Sequence, residues 1–249
     1  MPPLVSLEGV RKVFRNGTLA LDGVDLAIAK GEFVSLLGPS GCGKSTLLRI
    51  IAGLVEPTAG TIRGREALGG GRIGFVFQEP TLMPWATVWD NVYLPLRLKA
   101  ESRTSVSDRI GRTLAGLGLE GFERSYPREL SGGMKMRVSI ARALVTSPEL
   151  LLLDEPFAAL DEITRFKLNE DLLRLWQAQH WTVVFVTHSV FESAFLSNRV
   201  VVMTPRPGRI VADVPVDLDY PRASSLRTAP HYTELCRALS HRLAEGMTA

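Results

Sequence analysis

The sequence lacks several features that would point to particular classes of protein. It has only 2 cysteines, Cys42 and Cys236, among 249 residues, so it carries neither a disulfide framework nor the ligand spacing of a zinc site. No apolar run approaches the ~18 residues that a membrane-spanning helix requires. We therefore expect a chain of the reducing cytoplasm, held to a membrane at most by other subunits.

Long runs of one charge are also missing. The chain has 29 Lys and Arg residues against 26 Asp and Glu residues, a formal net charge of +3, and its basic residues are scattered. Basic proteins often bind nucleic acid or anionic membranes, but that function concentrates the charge in a patch or a run. The pattern favours a solvated surface of mixed charge, and we expect no nucleic-acid partner.

The chain does contain a glycine-rich loop with a phosphate-binding pattern. Residues 38–46 read Gly-Pro-Ser-Gly-Cys-Gly-Lys-Ser-Thr, between a predicted buried strand at 33–37 and a predicted helix at 47–52. The glycines let successive backbone N–H groups point into one concavity, and the helix N-terminus adds further donors and a positive dipole end. Lys44 is expected to reach the outer phosphates of a nucleoside triphosphate, and Ser45 to supply a hydroxyl to Mg²⁺.

Strand and helix patterns alternate along most of the chain and predict an α/β fold with a mainly parallel sheet. Residues 4–14 and 19–28 have the patterns of two further strands, an N-terminal antiparallel β portion. From 79 to 147 the pattern becomes helical and indicates a helical subdomain inserted into the core. We predict a single domain at 1–249, with its core at 1–78 and 148–249.

A second chemical motif follows a run of four leucines at 150–153. This run predicts a buried strand, and it ends in two carboxylates, Asp154 and Glu155. We expect the strand to lie beside the phosphate-loop strand, which would aim Asp154 at the Mg²⁺. Glu155, one residue later, would face the attacking water as general base.

A third motif, Ser131-Gly132-Gly133, predicts another anion site. Ser131 is a good N-cap residue, and two glycines at a helix start leave backbone N–H groups exposed. The sequence therefore predicts two phosphate-binding helix N-termini in one chain.

Together these motifs resemble the ATP-binding subunit of ABC transporters, over nearly the whole chain. The resemblance implies a P-loop NTPase (ABC ATPase) core, with two copies of the chain enclosing two ATP molecules head to tail. It implies that Lys44 and Glu155 act in catalysis and that Ser45 and Asp154 hold Mg²⁺. It also implies ATP contacts by the whole loop, made by Gly38, Pro39, Ser40, Gly41, Cys42, Gly43, Lys44, Ser45 and Thr46.

The same resemblance assigns roles outside the loop. Phe14 would stack on adenine, and His188 would sense the γ-phosphate in catalysis. Gln78 would touch Mg²⁺, act in catalysis and link to a membrane subunit. Ser131-Gly132-Gly133 would meet the γ-phosphate of ATP held by the other copy, and Asp161 would lie in a loop that crosses the dimer interface.

Three stretches, 78–85, 130–137 and 206–210, look like the importer group for nitrate, sulfonate and taurine. Met134 stands where the commonest signature has glutamine, and it fits that group's version. The resemblance implies two transmembrane permease subunits as partners and, indirectly, a solute-binding protein. The chain would then be peripheral, on the cytoplasmic face of the inner membrane.

Two other functions stay open: an ABC-type ATPase that acts on DNA or ribosomes, and a subunit that only binds nucleotide. An ABC-type ATPase of DNA repair would carry a long coiled coil, yet only 52 residues separate Gln78 from Ser131. One that acts on ribosomes would carry two ATPase domains, and this chain has one phosphate loop. A subunit that binds nucleotide without hydrolysis would normally have lost Glu155 or His188, and both are present.

Two local features give sharper expectations. Cys42 lies in the phosphate loop near a helix N-terminus, a setting that favours the thiolate and alkylation, but a cysteine that is merely small and well packed fits the position equally well. Residues 79–89 contain two prolines and several apolar side chains, so we expect Leu82, Met83 and Trp85 to line a groove for a membrane subunit. Trp89 lies in a helical pattern and is expected to pack inside the helical segment.

Overall fold

The computed structural model describes residues 2–65, 68–69 and 72–248. The strands are β1 (Val5–Val13), β2 (Leu19–Ile28), β3 (Phe33–Leu37), β4 (Ala59–Arg63), β5 (Ile73–Val76), β6 (Leu150–Asp154), β7 (Thr182–Thr187), β8 (Arg199–Met203) and β9 (Ile210–Pro215). The helices are α1 (Lys44–Ile51), α2 (Val88–Leu98), α3 (Arg103–Gly116), α4 (Gly132–Leu144), α5 (Glu162–Gln179), α6 (Val190–Leu196) and α7 (Pro230–Thr248).

The strands form two sheets. The larger has the order β5-β6-β7-β3-β8-β9, in which the first five strands are parallel and β9 is antiparallel to β8. The smaller is antiparallel, with the order β2-β1-β4. The predicted α/β fold, its mainly parallel sheet and its N-terminal antiparallel portion are therefore confirmed.

One expectation about strand order is wrong. The four-leucine strand β6 does not lie beside the phosphate-loop strand β3, because β7 is hydrogen-bonded between them. An apolar run shows that a strand is buried but not which strands flank it, since the crossover connections decide that order. Both strands still end at the same edge of the sheet, because parallel strands share their carboxyl ends.

Both faces of the larger sheet are buried. Alternate residues of β6 face opposite sides, so Leu151 and Leu153 join the core beneath α2 to α7, whereas Leu150 and Leu152 join the core around α1 and the smaller sheet. Each fully buried leucine contributes about 2 kcal/mol to folding. This two-sided burial fixes the strand ends that carry the site.

Three helices, α2, α3 and α4, occupy the segment predicted as a helical insertion. Their N-caps are the side chains of Thr87, Ser102 and Ser131, each of which accepts a backbone N–H from the first turn. The division of the chain into core and helical subdomain stays a prediction. None of the helices in the described part of the chain has the length and apolar character that a bilayer-spanning helix needs.

Candidate functional site

The phosphate loop connects the buried strand β3 to α1. Gly41 and Gly43 have φ values of 75° and 110°, in the left-handed region that favours glycine. A Cβ on Gly43 would also lie 2.8 Å from the carbonyl oxygen of Ala20, so β2 leaves no room for a side chain there. Gly38 is buried at the end of β3, and Pro39 and Ser40 follow it toward the surface.

Lys44 and Ser45 begin α1 and are held by specific partners. The Lys44 side chain is 3 % exposed, and its Nζ donates hydrogen bonds to the carbonyl oxygens of Gly38 (2.7 Å) and Pro39 (2.9 Å). Ser45 Oγ donates to Asp154 Oδ1 at 2.7 Å. Asp154 ends β6, and burial raises the pKa of its carboxyl group against the opposing effect of the Ser45 hydrogen bond. A hydroxyl and a carboxylate in contact are oxygen ligands that suit Mg²⁺, which binds few protein groups when it also binds phosphates.

Glu155 lies between Lys44 and His188. Its Oε1 is 3.5 Å from Lys44 Nζ, and its Oε2 is 3.1 Å from His188 Nδ1. The backbone of Glu155 has φ 45°, a left-handed conformation that costs a residue other than glycine about 1 kcal/mol or more. Such strain persists where surrounding contacts require it. Here it places the carboxylate at the loop, next to a half-exposed imidazole.

A pocket of about 300 Å³ lies over the loop. Its lining includes Phe14, a residue that is 40 % exposed. The lining residues are Phe14, Asn16, Thr18, Ala20, Gly41, Gly43, Lys44, Ser45, Thr46, Glu155 and Arg206. The lining thus combines an exposed aromatic ring with a lysine and a glycine-rich backbone, groups that suit the base and the phosphates of a nucleotide.

Five of the predicted residues, Gln78, Ser131, Gly132, Gly133 and Asp161, lie away from this pocket, whereas Asp154 and His188 do not line it but contact Ser45 and Glu155, which do. Gln78 is exposed just beyond β5, at the same sheet edge as Asp154, because Val76 pairs with Leu153. The segment 131–133 begins α4, where Ser131 Oγ accepts the Met134 N–H at 3.3 Å. Asp161 caps α5, and the Thr164 N–H at 2.9 Å lowers the pKa of its carboxyl group. None of these side chains reaches the pocket of its own chain.

A largely buried link between two loops of the site is not among the contacts predicted from the sequence. Glu192, 6 % exposed on the unpredicted helix α6, accepts a hydrogen bond from the hydroxyl of Thr187, which precedes His188. Its other oxygen is 3.9 Å from Arg165 Nε, and Arg165 Nη2 donates to the Leu160 carbonyl at 2.8 Å. The contacts connect the loop of Asp161 with the loop of His188. The spacing of Ser189 and Glu192, which is typical of a helix start, was the available signal.

Of the two interpretations of Cys42, the structure favours the small, well-packed residue over the reactive thiolate. Its side chain is 1 % exposed and belongs to the core around α1. Burial raises the pKa of the Cys42 thiol, and this outweighs the nearby Lys44 ammonium, whose Nζ is 3.9 Å from Sγ. The helix N-terminus favours a thiolate, but only where the sulfur is in contact with solvent.

We therefore expect Cys42 to react slowly with maleimide. In a Cys236→Ser variant, which isolates this thiol, labelling of the folded protein at neutral pH should be at least about tenfold slower than in denaturant, because little thiolate is present and the sulfur is enclosed. The labelled fraction is measured by intact mass over time. Rapid labelling of the folded protein, slowed by Mg-ATP, would contradict the buried placement.

Comparisons with known proteins agree with this geometry. A family model described as ABC transporter matches residues 21–158. The chain is 50% identical over 224 residues to an uncharacterized ABC transporter ATP-binding protein of Methanocaldococcus jannaschii, covering 88% of this chain and 84% of the relative. It is 43% identical over 252 residues to the aliphatic sulfonates import ATP-binding protein SsuB of Bacillus cereus, covering 97% and 96%. Among solved structures, the dimeric post-hydrolysis state of the ATP-binding cassette MJ0796, bound to ADP and Pi, has a TM-score of 0.75 at 36% identity, covering 86% of this chain and all of that one.

Proposed function

The chain belongs to the ABC transporter family, and we propose that it is the ATP-hydrolysing subunit of an importer for a small solute of the nitrate, sulfonate and taurine type. The observation that carries the proposal is the position of Glu155, in contact with both Lys44 and His188 beside the phosphate loop. The sulfonate-import relative supports the solute class. The relatives named above give no support to an action on nucleic acid or ribosomes.

Each residue of the site has a proposed task. The loop N–H groups and Lys44 bind the phosphates, and Phe14 stacks on adenine. Ser45, Asp154 and Gln78 would hold Mg²⁺, which neutralises phosphate charge when bound. Glu155 accepts the proton of the attacking water.

His188 is proposed to sense the γ-phosphate, and its 3.1 Å contact also holds the Glu155 carboxylate in place.

We further propose that the complete site requires a second copy of the chain. Ser131, Gly132 and Asp161 are exposed, and they do not line the pocket that their own chain forms. A helix of 13 residues with an exposed N-terminus is a suitable partner for the outermost phosphate of a nucleotide held elsewhere. The dimeric state of the related cassette supports this arrangement.

The segment 79–87 supports a role in docking to the membrane subunits. Trp85 is 76 % exposed, and Leu82 and Met83 are half-buried beside it. Arg142 of α4 donates to the carbonyl oxygens of Pro80 (2.9 Å) and Thr81 (2.8 Å), which fixes the segment next to a groove that Arg142 also lines.

That groove, of about 560 Å³, lies between β5, α2 and α4 and has a largely apolar lining that includes Phe75, Leu94 and Leu98. The predicted anchors Leu82, Met83 and Trp85 are not among its described lining residues. We propose that two permease subunits dock to the two copies of the chain, each through one segment that binds this groove of one copy. Docking takes place on the cytoplasmic face of the membrane, and a solute-binding protein acts indirectly.

We expect Trp85→Ala to weaken assembly with the permease subunits by about tenfold or more, the size of effect that exposed aromatic anchors have at interfaces. ATP hydrolysis by the isolated subunit should stay within a few-fold of the unmodified chain, because Trp85 lies outside the pocket. Copurification of membrane partners with a tagged chain from a detergent extract measures the first effect.

Trp89→Ala is the matched control for this experiment. The Trp89 ring lies 5.0 Å from the Tyr93 ring and 4.2 Å from the Arg103 guanidinium, so its removal should lower the melting temperature. A Trp85→Ala chain that melts early, or one that still recovers its partners fully, would contradict the docking role.

A further inference from the structure

The turn between β8 and β9 packs directly on the phosphate loop. A Cβ on Gly208 would lie 2.2 Å from the Cys42 carbonyl oxygen, so no other residue could approach the loop so closely. Gly208 also donates to the Ala20 carbonyl at 2.9 Å and accepts the Asp22 N–H at 3.1 Å. The turn is thereby held by the loop on one side and by β2 on the other.

The turn carries two arginines that point to different places. Arg206 Nη2 and Nε donate to the Gly41 carbonyl at 3.2 and 3.3 Å, and Arg206 lines the pocket. Arg209 instead pairs with Asp22, which Arg11 also contacts at 3.4 Å. Thr204 fixes the turn between them, since its Oγ1 donates to the Pro207 carbonyl and accepts the Arg209 N–H, both at 2.9 Å.

The charge of the pocket depends on Arg206. Among the described residues that line it, the charged ones are Lys44, Glu155 and Arg206. Lys44 and Glu155 are an ion pair at 3.5 Å and offset each other, so the guanidinium supplies the remaining positive charge. A guanidinium has five N–H donors in a planar fork that suits phosphate oxygens, and a single carbonyl oxygen accepts the two that Arg206 uses here.

We propose that Arg206 binds a phosphate oxygen of the nucleotide from the rim of the pocket, as a second cation besides Lys44. The guanidinium donates to the carbonyl oxygen of Gly41, in the loop whose N–H groups are proposed to hold the phosphates. This inference rests on the proposed placement of ATP at residues 38–46. The contact raises nucleotide affinity and has no part in the proton transfer.

The experiment measures affinity for a fluorescent ATP analogue in a series of charges at position 206. Arg206→Ala should weaken binding about fivefold, the size expected of an exposed, charge-assisted hydrogen bond. Arg206→Lys should stay within about twofold, because it keeps the charge. Arg206→Glu should bind more weakly than Arg206→Ala, because the carboxylate repels phosphate. Raising the salt from about 50 to about 500 mM should narrow these differences, since exposed charges are screened.

Arg209→Ala is the control, since it removes a cation from the same turn outside the pocket, and it should bind the analogue like the unmodified chain. A purely structural contact between Arg206 and Gly41 predicts equal, salt-independent losses for Arg206→Ala and Arg206→Glu, and that result would overturn the inference, as would unchanged binding by Arg206→Ala. Binding by Lys44→Ala distinguishes an error in the proposed placement of the nucleotide from an error in the role of Arg206. If Lys44→Ala binds normally, the placement of the nucleotide is wrong; if it loses binding while Arg206→Ala does not, only the role of Arg206 is wrong.

Discussion

Glu155→Gln is expected to lower steady-state ATP hydrolysis by at least about 100-fold while ATP still binds. The amide has nearly the shape of the carboxylate, but it cannot accept a proton from water. Phosphate binding should survive, because Lys44 and the loop N–H groups are unchanged. With hydrolysis blocked, the ATP-bound dimer should accumulate, whereas the unmodified chain without nucleotide should be mainly monomeric.

Phosphate release measures the rate of hydrolysis, and size-exclusion chromatography with light scattering measures the mass of the ATP-bound species. Glu149→Gln is a matched control, because Glu149 precedes β6 at its other end and forms an exposed ion pair with Arg72 at 3.3 Å. It should hydrolyse ATP normally. Near-normal hydrolysis by Glu155→Gln would remove Glu155 from the role of base.

The parts of the site that depend on local sequence could be predicted from it. The phosphate loop is one continuous segment between a strand and a helix, so its backbone conformation follows from its own glycines. Ser45 and Asp154 were each expected to hold Mg²⁺, and the hydrogen bond between them, across 109 positions, agrees with that expectation. The reason given for Asp154, that its strand is the neighbour of β3, is wrong; the two residues meet because parallel strands share their carboxyl edge.

The parts that depend on packing between distant segments could not be predicted. The insertion of β7 between β3 and β6 follows from the crossovers, which leave no mark in the pattern of either strand. The position of Cys42 near a helix N-terminus left its reactivity open, whereas burial in the surrounding core raises the pKa of its thiol. Arg206 contacts Gly41 across 165 positions because Gly208 lets the turn between β8 and β9 pack closely against the phosphate loop.

The second large effect concerns the site shared between two chains. Lys44→Ala removes the phosphate lysine, and Ser131→Arg places a bulky cation at the start of α4. If each site combines the loop of one chain with the α4 N-terminus of the other, each variant alone has two damaged sites. A dimer of one Lys44→Ala chain with one Ser131→Arg chain has one site with both lesions and one intact site.

The most direct measurement of this claim is the ATPase rate of the two variants, first separately and then mixed in equal amounts. Thermal melts of both variants are measured beforehand to show that they are folded, because Ser131→Arg removes a helix cap that contributes about 1 kcal/mol to stability. Each variant alone should be nearly inactive, and the mixture should recover up to about one quarter of the normal rate, since half of the dimers are mixed and half of their sites are intact. Normal hydrolysis by Ser131→Arg alone, or a mixture no more active than its components, would contradict the shared site.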